Sequence, residues 1–266
     1  MPGFFFPASV LKPASVLLLG LLLAAPLGAQ QAPARLIPCR KGTKWGYADQ
    51  SRRVVLPLLY DEAGPFVQEV AWVRIGSLYG YIDGGGNPVT PVHFTRAGSF
   101  VQGRATVELG GETFQITTSG QRITQEPEPA PETEFLTQGD MVRQNGKVGF
   151  RFTVGQAVVP ALYDEIQENY NGLLFVRQGT KWGVINSKGT LTLPLEYDAI
   201  RAVEANNFAY AIVEQQGRFG YLAEDGRLLV PIKYSAAEPF VASVARVTTP
   251  DGRTGYIDVR GREFFD

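Results

Sequence analysis

Short apolar runs alternate with polar turns along nearly the whole chain, and the alternation returns at an almost constant interval. The clearest copy starts at Gly179-Thr-Lys-Trp-Gly-Val-Ile-Asn186, which predicts a short strand. Ser187-Lys188-Gly189 predicts a tight turn, Thr190 to Pro194 a returning strand, and Tyr197-Asp198 closes the motif. The same order stands at Lys44 to Asp49, Val54 to Pro57 and Tyr60-Asp61, and again from Phe219 through Asp225-Gly226 to Pro231 and Tyr234. A second copy keeps Tyr79 to Asp83, enlarges the turn with Gly84 to Gly86, and places Phe94 where the others have tyrosine. A further apolar segment follows each motif, as at Ala71-Trp-Val-Arg74, Leu173 to Arg177 and Val244 to Val247, with Phe66, Phe100 and Phe240 ahead of three such segments. Each unit is thus expected to supply about three short strands.

Aromatic-glycine steps mark the period: Trp45-Gly46, Tyr79-Gly80, Trp182-Gly183 and Phe219-Gly220, with weaker versions at Phe114-Gln115, Val148-Gly149 and Thr254-Gly255. Successive second members are 34, 35, 34, 34, 37 and 35 residues apart, which makes the chain a repeat protein. One such unit buries too little to stand alone, so neighbouring units must share a core built on the repeated rings. The glycine is expected to let a ring of one unit lie on the backbone of the next. The recurring proline is expected to end the second strand. Asp61, Asp164 and Asp198 are expected to accept backbone N–H bonds in the turn that follows. Gly149, Tyr163 and Gly255 fill the matching places in the remaining copies. The fold class is all-β: tandem hairpin or three-stranded repeats in an open, twisted, solenoid-like array. A closed seven-bladed ring is the alternative, although propeller blades usually have four strands in ~40–45 residues.

Residues 1–29 change the picture. Lys12 is their only charge, Val16 to Ala25 is an almost unbroken apolar run, and Leu27-Gly28-Ala29 precedes Gln30-Gln31, the layout of a secretory signal peptide cut after Ala29. Residues 30–38 are then a linker, 39–266 the array, and 124–137 a Pro- and Glu-rich excursion without a core of its own. The mature chain is expected outside the cytoplasm, periplasmic or extracellular, with no membrane span. Cys39 is the single cysteine, so no internal disulfide exists, and it reads as a small buried hydrophobe. Of 25 basic side chains Lys12 falls in the leader, leaving 24 against 26 acidic ones. Without a basic block there is no electrostatic footprint for nucleic acid.

The order Lys-Trp-Gly, apolar pair, glycine turn, proline and Tyr-Asp resembles the WG-repeat (KWG-repeat) family. Lys44-Trp45-Gly46 and Lys181-Trp182-Gly183 carry the full signature, and Lys147-Val148-Gly149, Arg218-Phe219-Gly220 and Arg253-Thr254-Gly255 are worn copies. The resemblance implies arrayed β-hairpin units and a binding role, and it supplies no catalytic residues.

Candidate chemistry is sparse. His93 is the sole histidine, so a nucleophilic triad has little support and a histidine-rich zinc set is impossible by count. Asp83-Gly84 and Asp225-Gly226 lack the run of oxygen ligands that binds calcium. No cofactor is expected. The function expected is a non-enzymatic binding or scaffold module for a protein or cell-envelope glycan, with Trp72, Tyr170 and Tyr210 as possible ligand contacts. The alternative is a glycan hydrolase using a carboxylate pair.

Overall fold

The computed structural model describes residues 35–124, 139–168, 172–202 and 210–266. The leader, Tyr170 and nearly all of the 124–137 excursion lie outside them. The described residues form 24 strands and no helix, arranged as seven separate antiparallel sheets of three or four strands. The all-β tandem-repeat expectation is met.

Sheets and sequence repeats are out of phase. The fifth sheet pairs Glu165–Glu168, Leu174–Gln178, Lys181–Ile185 and Leu191–Tyr197 in that order. A repeat counted from one aromatic-glycine step to the next therefore supplies three or four strands, the first one or two to one sheet and the others to the following sheet. No sheet can form from one repeat alone, so adjacent repeats are tied by main-chain hydrogen bonds as well as by packing. The first sheet (Ile37–Lys41, Lys44–Ala48, Val54–Tyr60) starts two residues before the expected array boundary.

The repeated proline does not end its strand. Val54–Tyr60 runs through Pro57, and Leu191–Tyr197 runs through Pro194. The ladder slips at that point instead. Trp45 pairs Tyr60 while Tyr47 pairs Leu56, and Trp182 pairs Tyr197 while Val184 pairs Leu193. Proline is tolerated because the bulge frees its position from donating. The bulge also explains the glycine. A Cβ on Gly46 would sit 2.6 Å from the Leu56 and Pro57 carbonyl oxygens, and one on Gly183 would sit 2.7 Å from the Leu193 oxygen. The close backbone belongs to the strand returning within the same sheet, not to the next unit as the sequence suggested.

In the third sheet (Arg96–Ala97, Arg104–Leu109, Glu112–Thr117, Arg122–Ile123), Val107 faces Phe114, whereas Val73 faces Gly80 and Val176 faces Gly183. Phe114 therefore fills the glycine position and Thr113 the aromatic one. The degenerate copy is Thr113-Phe114 rather than Phe114-Gln115.

Five apolar clusters join neighbouring sheets. They link four to five, five to six, six to seven, and two to three. The remaining cluster links the seventh sheet (Ala236–Ala237, Val244–Thr248, Thr254–Asp258) to the first and second through Tyr256, Phe264, Trp45, Tyr47 and Ala71. The Arg40 amide donates to the Phe264 carbonyl at 3.0 Å, and Trp45 meets Tyr256 edge-on at 5.7 Å. The first and last sheets are thus neighbours.

Candidate functional site

Repeated residues divide into staples and core. Asp61, Asp164 and Asp198 each accept from the lysine of the preceding Lys-Trp/Val-Gly step, Lys44, Lys147 and Lys181, at 2.7, 2.6 and 2.5 Å. Each also accepts a backbone N–H from a hairpin turn 15 to 18 residues further on, at Gly76, Gly179 and Gln216. The hydrogen bond from the lysine, with that from the amide, holds each carboxyl below its ordinary range. These acids are committed to joining hairpins, beyond the local turn expected. Where the chain has Thr95 or Ser235 instead, the hydroxyl donates to the carbonyl of Glu108 or Thr248.

Trp45 is buried, whereas Tyr79, Trp182 and Phe219 are half-buried against the clusters. Their cross-strand partners are Tyr60, Phe94, Tyr197 and Tyr234. The rings that follow the glycine lie deep: Tyr47, Tyr81, Phe150 and Tyr221 are each 0% exposed, as is Tyr234 opposite Phe219. Tyr47, Tyr81 and Tyr221 donate to the carbonyls of Gly64, Gly98 and Glu238 at 3.0, 2.7 and 2.7 Å. Their rings meet Phe66, Phe100 and Phe240 with centroids 4.7, 5.2 and 4.8 Å apart. Cys39 faces Gly46 at the position held by Val73, Val107 and Val176 elsewhere, and burial pushes its thiol up to about 11.

One strand position carries residues that do not repeat. Pro38, Trp72, Thr106, Met141, Phe175, Ile212 and Arg246 all stand opposite the residue after the glycine. Trp72 and Arg246 wall one cavity of about 220 Å³, together with Pro65, Ser99, Glu238 and Tyr256. It draws on the second sheet (Glu62–Ala63, Val70–Ile75, Leu78–Asp83), the third and the seventh. Trp72 lies on the backbone of Gly64, where an added Cβ would come within 2.2 Å of its ring, and it meets Tyr79 at 5.8 Å. Arg246 reaches Glu62 at 2.6 Å, and Glu62 also holds Arg74 at 3.1 Å. Tyr256 is buried, and burial raises its phenol well above the ordinary range, with Arg246 lowering it and Glu238 and Glu62 raising it.

Of the three candidate contacts, Trp72 is in this cavity and Tyr170 lies outside the described residues. Tyr210 packs on Phe240 at 4.9 Å as part of the core. Arg246, Glu62, Glu238 and Tyr256 were missed by sequence reasoning. A charge in an otherwise uncharged column was the available signal for Arg246.

A second depression of about 370 Å³ contains Asp251 and Glu263 with Lys233, Tyr234, Thr249 and Arg253. Hydrogen bonds from Thr249 and Arg253 hold Asp251 below the ordinary range. Burial alone would raise Glu263, but bonds from Lys233 and Tyr234 outweigh it and hold the carboxyl low. Neither acid is poised as the protonated partner that glycoside cleavage uses. His93 has Nδ1 2.8 Å from the Pro91 carbonyl and its ring 4.1 Å from Phe94. Among the described residues, no group of three or more His, Cys, Asp or Glu is placed to hold a metal ion.

This architecture defines a tandem β-sheet repeat protein whose repeats are each split between two sheets. The chain belongs to the WG-containing repeat family, whose repeat matches residues 45–79, 79–112, 153–182, 182–219 and 219–249, more than half of its length. No curated protein matches it. Similar solved structures include apo AztD from Citrobacter koseri, at 16% identity over 85% of this chain and 79% of that one, with a TM-score of 0.31. A protein of unknown function from Bacteroides caccae is 12% identical over 86% and 90% of the two chains, with a TM-score of 0.32. A eukaryotic initiation factor is 11% identical over 87% and 73%, with a TM-score of 0.31.

Proposed function

We propose that this protein is an exported, non-enzymatic binding or scaffold module whose partner is a protein or a cell-envelope glycan. The observation that carries the reading is the cavity where Trp72, Arg246 and Glu238, which break the repeat, converge from separate sheets beside Tyr256. A scaffold conserves its repeated positions for packing, and recognition requires positions that break the repeat. Export rests on the leader pattern of residues 1–29. Against catalysis stand the ion-paired, lowered carboxyls of Asp251 and Glu263.

The reading is tested by immobilising the purified protein and passing an envelope extract over it, beside Trp72→Ala and Arg246→Ala. Material retained by the parent and lost from both variants supports binding through the cavity. Cleavage of a glycan in the extract by the purified protein would replace the reading with the hydrolase.

A further inference from the structure

Each sheet turns one cross-strand pair toward the sheet before it. In six of the seven sheets that pair is apolar and buried, as with Ala105 and Ile116 on the third sheet or Leu174 and Ile185 on the fifth. Those two pairs pack in clusters with Tyr81 and Phe150 of the preceding sheets. On the fourth sheet the pair is Asp140 and Arg151, and both are exposed. The third sheet, across the same step, departs in the same sense. Where Tyr47, Tyr81 and Tyr221 are buried after the glycine, it carries a half-buried Gln115 opposite an exposed Thr106. Arg104 takes the place that a buried valine holds at Val70 and Val244, and its Nη1 is buried with no hydrogen-bond partner. Among the described residues no apolar cluster joins the third sheet to the fourth, whereas one joins every other neighbouring pair, the seventh and first included.

We propose that the step between the third and fourth sheets is a joint at which the folded protein opens and closes, sheets one to three moving against sheets four to seven. Parting any other step would bring buried apolar side chains into water, and that cost holds it shut. Parting this one uncovers hydroxyl, amide and charged groups that water solvates. It also hydrates the Arg104 nitrogen, whose lack of a partner disfavours the closed form. Openings short of global unfolding fall where few apolar contacts break, and polar walls bring the open and closed arrangements close in free energy. The cluster between the seventh and first sheets keeps the two groups tied, so the joint hinges rather than separates. The motion needs no ligand and is independent of what the Trp72 cavity binds.

Pulsed electron paramagnetic resonance on the full chain, in a Cys39→Val background, tests the joint. Spin labels at Leu109→Cys and Gln144→Cys span it. Ile75→Cys with Leu109→Cys, and Gln144→Cys with Gln178→Cys, span the steps on either side. All four positions are exposed and stand at the same place beside a hairpin turn. The flanking pairs should each give one narrow distance, and the pair across the joint a second, longer population as well. Arg104→Val with Gln115→Tyr restores the apolar column and the ring, and it should move that population to the shorter distance. Urea midpoints equal to that of the unlabelled chain separate opening from unfolding. A single narrow distance across the joint in the parent overturns the proposal, as does equal broadening at all three steps. So does a longer population that persists unchanged in the folded double variant. If the double variant does not fold, the comparison of the three steps in the parent decides the matter.

Discussion

Residues that look alike in the repeat do unlike work. The tryptophan and its glycine name the motif, yet the ring after the glycine is the deeper one. Trp45 is 4% exposed and Trp182 half-buried. Trp45→Ala is therefore expected to cost about 3–5 kcal/mol, and Trp182→Ala about half as much. Equal losses in urea unfolding would contradict that order. Tyr221→Phe removes the bond to Glu238 but keeps the ring, so it should cost about 1 kcal/mol, against about 3–5 for Tyr221→Ala. Gly183→Ala tests the bulge. Alanine outscores glycine on a strand by propensity, but here its Cβ would meet the Leu193 carbonyl. We expect a loss of about 1–3 kcal/mol, and a stabilised Gly183→Ala would show that the bulge yields freely.

At the scale of the elements, the split repeat makes hairpin-to-hairpin staples important. Asp164 joins Lys147 to the turn at Gly179, across the step from the fourth sheet (Gly139–Gln144, Lys147–Phe152, Val158–Tyr163) to the fifth. Its folded pKa lies below the ordinary value, as do those of Asp61 and Asp198. Stability from such a group is fully present above the unfolded carboxylate pKa of about 3.9 and disappears as pH falls through the lower folded value. The prediction is an acid limb beginning near pH 4 that becomes shallower in Asp164→Asn. Parallel acid-unfolding curves for the two proteins would remove the staple from the account. The motif itself was readable in the sequence at this scale, because Lys, Gly, Pro and Asp recur in order. The role of the proline was not, since a strand passing through proline depends on a bulge that only the paired strand reveals.

For the whole molecule, the decisive contact is between the seventh sheet and the first. Phe264 is 3% exposed in the cluster containing Ile37, Trp45 and Tyr47, and Arg246 crosses to Glu62 on the second sheet. Phe264→Ala should therefore raise amide exchange in Ile37–Lys41 and in the seventh sheet well above that in the fifth. A uniform rise across all sheets would mean that the molecule opens only as one unit. The cavity belongs to this scale as well. Its walls come from residues up to 191 positions apart, Pro65 and Tyr256, so spacing along the chain carried no hint of it. Trp72 alone was readable, as an unrepeated aromatic on a repeated strand.

Periodicity by itself determined the strands, the turns and the need for neighbouring units to share a core, because each follows from local alternation repeated in register, while the Lys-Trp-Gly motif pointed to the family. The tertiary structure alone decided why glycine follows the aromatic ring, that sheets straddle repeats, and that the last sheet meets the first. Those outcomes depend on how one strand approaches another through space, and a carbonyl 2.6 Å from a would-be Cβ leaves no mark in one dimension.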